Sequence, residues 1–404
     1  MIKYIKIAVG IVSFILIIIV SNLINNYSGY IITDWTIRHD DQQKEVVSLS
    51  PMDIAESGIF TFETTVKNNG FDTLVMPQVN AYALKVYVND DIVYQVGSFD
   101  MPTSNLWNDL QIIQIGGVSK LDQYQLRIES YCLHDAGFGE QPYLTNYEDS
   151  YRILGIQRFF NNSIILIILG SYLAIGTLLI MIARRSYTNK RRDDARLFAY
   201  FGFAALMFGV FMLDSVSRLS TGSLDTLLLV RKLNLISLYI AMYLLSEGIR
   251  KFMYQKSASR ILRIITALSI ILILISKDFI GLVKNQQIVF PVTFLFIVYV
   301  LWLNVRAKGN VLIFSSVFLF LTTLQSFLLI FGVIEGSLTW QYGLFVYMLS
   351  IAYIVAYKYD RMELHVDKVS EELIIDPLTK AYNRAYLSRL ELKDNDIAVF
   401  IDID

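Results

Sequence analysis

The sequence predicts a mostly helical, polytopic membrane protein that carries one all-β domain near its N-terminus. Three observations predict this. Hydrophobic residues make up 54% of the 404-residue chain and charged residues only 18%, a balance too apolar for an ordinary globular protein of this length. Basic residues gather in a few short connections between long apolar runs, whereas residues 25–160 are distinctly acidic. Within that acidic stretch the pattern changes from continuous apolar runs to strict alternation, the period of a half-buried strand.

In chain order, Lys3 and Lys6 precede an apolar run, and residues 1–24 reach the ~20 residues that a membrane helix needs. They form an N-terminal transmembrane anchor or a signal peptide. An uncleaved anchor is favoured, because Ser21, Asn22 and Leu23 do not make a small-residue cleavage site.

Residues 25–160 alternate, as in Phe60-Thr-Phe-Glu-Thr-Thr-Val66, and are punctuated by Asn69-Gly70, Asn89-Asp90-Asp91 and Gly116-Gly117. They are read as an extracytoplasmic β-sandwich, with a hairpin turning at Asn89-Asp90-Asp91. The single cysteine, Cys132, leaves this domain without an internal disulfide, so its core alone must hold it. Its strand pattern resembles the sugar-binding jelly rolls found outside sensory receptors. The resemblance implies an external ligand of the carbohydrate class and makes Trp107, Tyr131, His134 and Tyr143 candidate contacts, since aromatic faces stack on sugar rings. Core or rim positions explain the same four residues, so the ligand and its site are left unassigned.

Residues 161–357 hold seven further apolar runs, at 163–183, 197–213, 233–245, 261–275, 288–303, 311–332 and 342–357. Placing the first helix in-to-out puts Arg184, Arg185, Lys190, Arg191, Arg192 and Arg196, then Arg250, Lys251, Lys256, Arg260 and Arg263, then Arg306 and Lys308, then Lys358 and Arg361 on the cytoplasmic side. The expected location is the cytoplasmic membrane, with residues 25–160 outside and the C-terminus inside. Arg218, Lys277 and Lys284 fall in external loops, with Arg231 and Lys232 at a helix mouth. The mid-span polar residues Asn234 and Gln325 are mild, and Asp214, Glu247 and Glu335 are placed at span ends within reach of solvent. A transporter or export component, which needs charges in mid-membrane, is therefore disfavoured.

Residues 358–375 space Tyr359, Met362, Val366, Val369 and Leu373 at alternating intervals of three and four. That is the seam of a coiled-coil signalling helix, which predicts a homodimer joined through this segment; a single amphipathic helix lying on a neighbour is the alternative over so few heptads.

Beyond it, Asp376-Pro-Leu378-Thr379-Lys-Ala-Tyr-Asn383-Arg384, then a short amphipathic helix and the apolar strand Ile397-Ala-Val-Phe-Ile401 ending in Asp402-Ile403-Asp404, resembles the opening of a GGDEF domain, the module of diguanylate cyclases. The resemblance covers 376–404 only. It implies an α/β domain that joins two GTP molecules into cyclic di-GMP. It also implies a Mg2+ ion held by the Asp402 carboxylate and the backbone carbonyl of Ile403, hard oxygen ligands that suit that cation. Asp376, Leu378, Thr379, Asn383 and Arg384 are structural members of the motif: Asp376 caps a helix, Pro377 starts it, and Arg384 reaches back to Asp376. The family's signature loop, second acidic residue and guanine-reading Asn lie downstream of its D-I-D, so the catalytic cradle of this chain is expected to be incomplete. The order of external β domain, seven helices and cytoplasmic output resembles the seven-transmembrane receptors with diverse intracellular signalling modules. The reading is a membrane sensor with diguanylate cyclase output in its complete form. A non-enzymatic truncated receptor is the alternative, and no nucleic-acid partner is expected.

Overall fold

The computed structural model describes residues 2–372 except 25–28, 41, 50, 68, 78, 107–109, 116–121, 160–162, 217–221, 255–258, 307–311 and 332–338. Trp107, Glu335, Leu373 and the whole motif from Asp376 to Asp404 lie outside the described residues. Contacts divide the chain into two units, Met1–Ile351 and Ala352–Asp404.

The first unit begins with helix α1 (Ile2–Ile24), followed by twelve strands: β1 (Tyr30–Ile31), β2 (Trp35–His39), β3 (Gln42–Val46), β4 (Met52–Asp53), β5 (Gly58–Lys67), β6 (Thr73–Met76), β7 (Ala83–Val88), β8 (Asp91–Val96), β9 (Gln111–Gln114), β10 (Gln123–Cys132), β11 (Asp135–Ala136) and β12 (Tyr143–Thr145). They build a four-stranded sheet in the order β1-β12-β6-β9, a six-stranded sheet in the order β3-β2-β5-β10-β7-β8, and a two-stranded β11-β4 pair, all antiparallel. Alternation explains why these segments are strands. Phe60, Phe62 and Val66 of β5 face inward while Thr61, Glu63 and Thr65 face out, and cross-strand partners on β10 repeat the pattern. Trp35, Phe62, Val86, Leu126 and Ile128 of the large sheet share one core with Leu74, Met76, Ile113 and Leu144 of the small one. The two sheets therefore pack face to face as a sandwich.

The hairpin of β7 and β8 turns on two residues, Asn89 and Asp90, with φ of 48° and 74°. Two central residues with positive φ are the turn that matches strand twist, and Asp91 already pairs with Val88 as the first residue of β8. The first and last strands, β1 and β12, pair with each other at Tyr30–Leu144 and Ile31–Tyr143.

Among the described residues, seven apolar helices follow a short polar one. The short helix α2 (Tyr147–Arg158) falls where only strands were expected. Its N-terminal Tyr147 N–H donates to Asp72 Oδ1 at 3.1 Å, a cap supplied from 75 residues away that no local pattern reveals. The others are α3 (Ile164–Thr188), α4 (Arg192–Met212), α5 (Leu224–Tyr254), α6 (Arg260–Leu274), α7 (Phe279–Arg306), α8 (Ile313–Ile330) and α9 (Trp340–Glu372). Among the described residues, five helical stretches are long and apolar enough to cross a membrane: Ile164–Thr188, Arg192–Ser215, Leu224–Tyr254, Phe279–Arg306 and Trp340–Met362. The protein is thus a multi-pass membrane protein. With 15 residues, α6 is about 22 Å long at 1.5 Å per residue, shorter than a ~30 Å hydrocarbon core.

Small residues set the closest helix approaches, as membrane packing requires. A Cβ at Gly202 of α4 would stand 3.1 Å from the Gly176 carbonyl of α3, and one at Gly343 of α9 would stand 1.9 Å from Thr322 Oγ1 of α8.

In the second unit, the described residues from Ala352 form the C-terminal part of α9, where the Arg361 guanidinium lies 4.9 Å from the Tyr357 ring centre. Tyr359, Met362, Val366 and Val369 all fall within α9.

Candidate functional site at the sandwich–helix junction

Where the β-sandwich meets the helices, charged and aromatic side chains are buried together. The apolar part of the junction is made by Tyr82 and Leu133 of the sandwich, Leu227 of α5 and Phe279 of α7, with Tyr131 and Leu228 packed against them. The Tyr82 ring lies 6.1 Å from Phe279 and 6.1 Å, edge to face, from His134.

Arg231 sits two turns inside α5 and joins the two sides. One guanidinium nitrogen, Nη1, donates a short hydrogen bond to the Tyr82 phenol. Another, Nε, lies 3.4 Å from Asp214 Oδ2, just past the end of α4. Asp214 ties in a second sandwich loop, since its carbonyl accepts from Asn105 Nδ2 at 3.0 Å, and its other carboxylate oxygen accepts from Asn234 Nδ2 at 3.5 Å. Only 27% of the Arg231 side chain and 22% of that of Asp214 is exposed, so this pair is screened far less than a surface ion pair. Neighbouring Lys232 donates to the Leu274 and Ser276 carbonyls at the end of α6, where a cation offsets the unsatisfied C-terminal carbonyls.

Behind Tyr82 is a second pair. His134 Nε2 lies 3.0 Å from Asp135 Oδ1, and Asp135 Oδ2 accepts from Asn80 Nδ2 at 2.7 Å. Among the described residues, His134 Nδ1 and Asn80 Oδ1 have no hydrogen-bond partner. That assigns the His134 proton to Nε2, which donates to Asp135. Burial pushes the Asp135 carboxyl up to about 6 against the pull of Arg231, with Asp53 across the β4–β11 pair adding to the rise. Burial, with Arg231 nearby, pushes His134 down to about 3. Burial likewise raises Tyr82 to about 12, so the phenol stays neutral. At neutral pH His134 is uncharged and Asp135 is mostly ionised.

Of the four sandwich residues singled out from the sequence, His134 and Tyr131 belong to this junction, and Tyr143 is fully buried, a core position and not a ligand contact. Three readings need correction. Arg231 is not at a helix mouth, because α5 begins at Leu224, and Lys284 is inside α7 and not in a loop. Glu247 is not open to solvent: it is 2% exposed, because α5 runs on to Tyr254, and its Oε1 accepts from the Ser259 N–H at 2.8 Å and from Arg250 at 3.2 Å. The junction itself escaped sequence reading. Its signal was the Arg231-Lys232 pair inside an apolar run, which costs too much in a span without partners.

No family model, curated protein or solved structure matches the chain. Among the described residues, no group of three or more His, Cys, Asp or Glu is placed to hold a metal ion; the Asp402–Ile403 position lies outside them.

Proposed function

We propose that this chain is a membrane-bound sensory receptor. The sandwich is its extracytoplasmic sensor, and its complete form carries a diguanylate cyclase output that turns two GTP into cyclic di-GMP with Mg2+. The observation that carries the receptor reading is the half-buried Tyr82–Arg231–Asp214 bridge. A domain merely tethered to a membrane needs no ion pair against its helices, whereas a sensor must convert its own rearrangement into a helix movement. Any shift of the 79–82 or 103–106 loops changes the partners of Arg231 or Asp214, and two packed arrangements of such a bridge make a switch. The cyclase part is supported by the motif at 376–404 and by the heptad of 358–375, which would bring two copies together as a two-GTP reaction requires.

Burial of Glu247 reopens the transporter reading, since a buried carboxylate in a span is what ion coupling uses. Its engagement with Ser259 and Arg250 instead favours a clamp between α5 and α6.

The test is a chain extended from residue 404 by a complete cyclase domain and assayed in membranes for cyclic di-GMP. Arg231→Met and Tyr82→Phe should each shift basal output at least several-fold, while Lys277→Met leaves it unchanged. Reporter fusions at Asp109 and Ser370 should report opposite compartments. Unchanged output in both junction variants, or both fusions on one side, refutes the proposal.

A further inference from the structure

We propose that a cleft on the outer face of the six-stranded sheet binds a small zwitterion of the amino-acid class, with Arg38 taking its carboxylate and Glu63 and Asp34 its ammonium. This rests on the sandwich being the sensor, and it names the chemistry sensed. The cleft encloses about 410 Å³, within the range of small-molecule sites. Its floor is built by alternation: Thr36 and Arg38 of β2, Glu63 and Thr65 of β5 and Gln125 of β10 face out, while Ile37, Phe62 and Leu126 fill the core. Tyr30 and the Thr33–Asp34 corner form the wall.

The charges select the ligand. Arg38 Nη2 lies 3.2 Å from Glu63 Oε2, and 52% of the Arg38 side chain stays exposed against 13% for Glu63. The guanidinium thus keeps free donors toward the cleft. Asp34 lines the same cleft, its Oδ2 accepting from Thr33 Oγ1 at 3.0 Å. A neutral polyol entering here would strip water from three charged groups and return only neutral hydrogen bonds. A zwitterion returns charge for charge, and charge-assisted bonds are about twice as strong as neutral ones. The polar lining also leaves no pocket for a large apolar side chain, so small or polar amino acids fit best.

The site is also close to a helix. Tyr30 is six residues beyond the last residue of α1, a span of at most about 20 Å, and α1 packs on α8, where a Cβ at Gly10 would meet Val317 Cγ1 at 3.1 Å.

Calorimetry on the full chain in lipid nanodiscs tests this, with L-alanine, L-serine and L-glutamine as probes and ethanolamine, acetate and glucose as comparators. The three amino acids should give saturable heat that the comparators lack. Arg38→Ala and Glu63→Gln should each weaken binding at least tenfold, and Arg38→Lys less. The double variant Arg38→Ala/Glu63→Gln removes the pair without leaving either charge alone; it should keep the wild-type unfolding midpoint and bind no probe. No heat from any amino acid, saturable heat from glucose, or equal amino-acid binding in the double variant overturns the proposal. Arg231→Met should bind the probes normally, so a failed cleft and a failed junction give different results.

Discussion

The His134–Asp135 pair makes a prediction in which two opposed pH dependences cancel until one partner is removed. Folded Asp135 titrates near 6 against an ordinary 3.8, and folded His134 near 3 against 6.5. At 3.0 Å apart the two titrate as a pair, which takes its first proton near 6 and its second near 3. The unfolded chain takes its protons near 6.5 and 3.8. Proton uptake is then almost the same in both states from pH 8 down to about 4, and stability contributed by the pair is nearly flat. Removing one member exposes the other. In His134→Gln the ionised Asp135 costs stability above its folded value, and that cost disappears as pH falls from 7 to 4. In Asp135→Asn the neutral His134 contributes stability that is present above about 6.5 and lost progressively as pH falls towards 3. The two slopes are opposite. Each is at most about 1.4 kcal/mol per pH unit, and about 2 kcal/mol should accumulate between pH 7 and pH 5 in the Asn variant. The groups facing the pair, Arg231, Asp53 and Tyr82, are common to both variants and cancel in the comparison. The assay is denaturant unfolding of the full chain in detergent from pH 7.5 to 4, followed by amide exchange in β5 and β10. Parallel curves for the two variants, or a steep wild-type slope between pH 7 and 5, would refute the reasoning.

Other consequences are simpler to state. Gly343→Ala should lower the unfolding midpoint in detergent and cost about 1–3 kcal/mol, because the added Cβ overlaps Thr322 Oγ1 and packed helices yield only by shifting; an unchanged midpoint counts against that packing. Glu247→Ala should destabilise by about 3 kcal/mol, since it removes a buried carboxylate that accepts from both Arg250 and the Ser259 N–H, and the same unfolding measurement reads it. In membranes, cysteines at Met362 and Val369 should crosslink as dimers far more readily than cysteines at Glu363 or Lys368; equal crosslinking at all four would make the heptad an ordinary amphipathic face.

What could be read from the sequence was what depends on neighbours in the chain. The alternation of Phe60 to Val66 and the Asn89-Asp90 turn are local, and each folds as its own residues dictate. Apolar length alone marked the spans. The cap on α2 could not be read, because its acceptor, Asp72, belongs to a loop elsewhere in the sandwich. Helix ends were missed for the opposite reason. Arg231 and Glu247 look like boundaries on a hydropathy profile, yet α5 runs through both because Asp214 and Tyr82 partner the first and Arg250 and the Ser259 N–H the second. The junction was illegible on the same ground: Tyr82, Asp135, Asp214 and Arg231 have nothing in common until the chain has folded.

The pairing of β1 with β12 has one more consequence. The chain enters the sandwich from α1 and leaves it towards α2 along two adjacent strands, so everything from Tyr30 to Thr145 hangs from the helices by a single doorway. Such a module is a cassette. It can be exchanged, enlarged or lost without rethreading the helices, and what an incoming replacement must supply is small: two neighbouring ends, and something on its underside for Arg231 to hold.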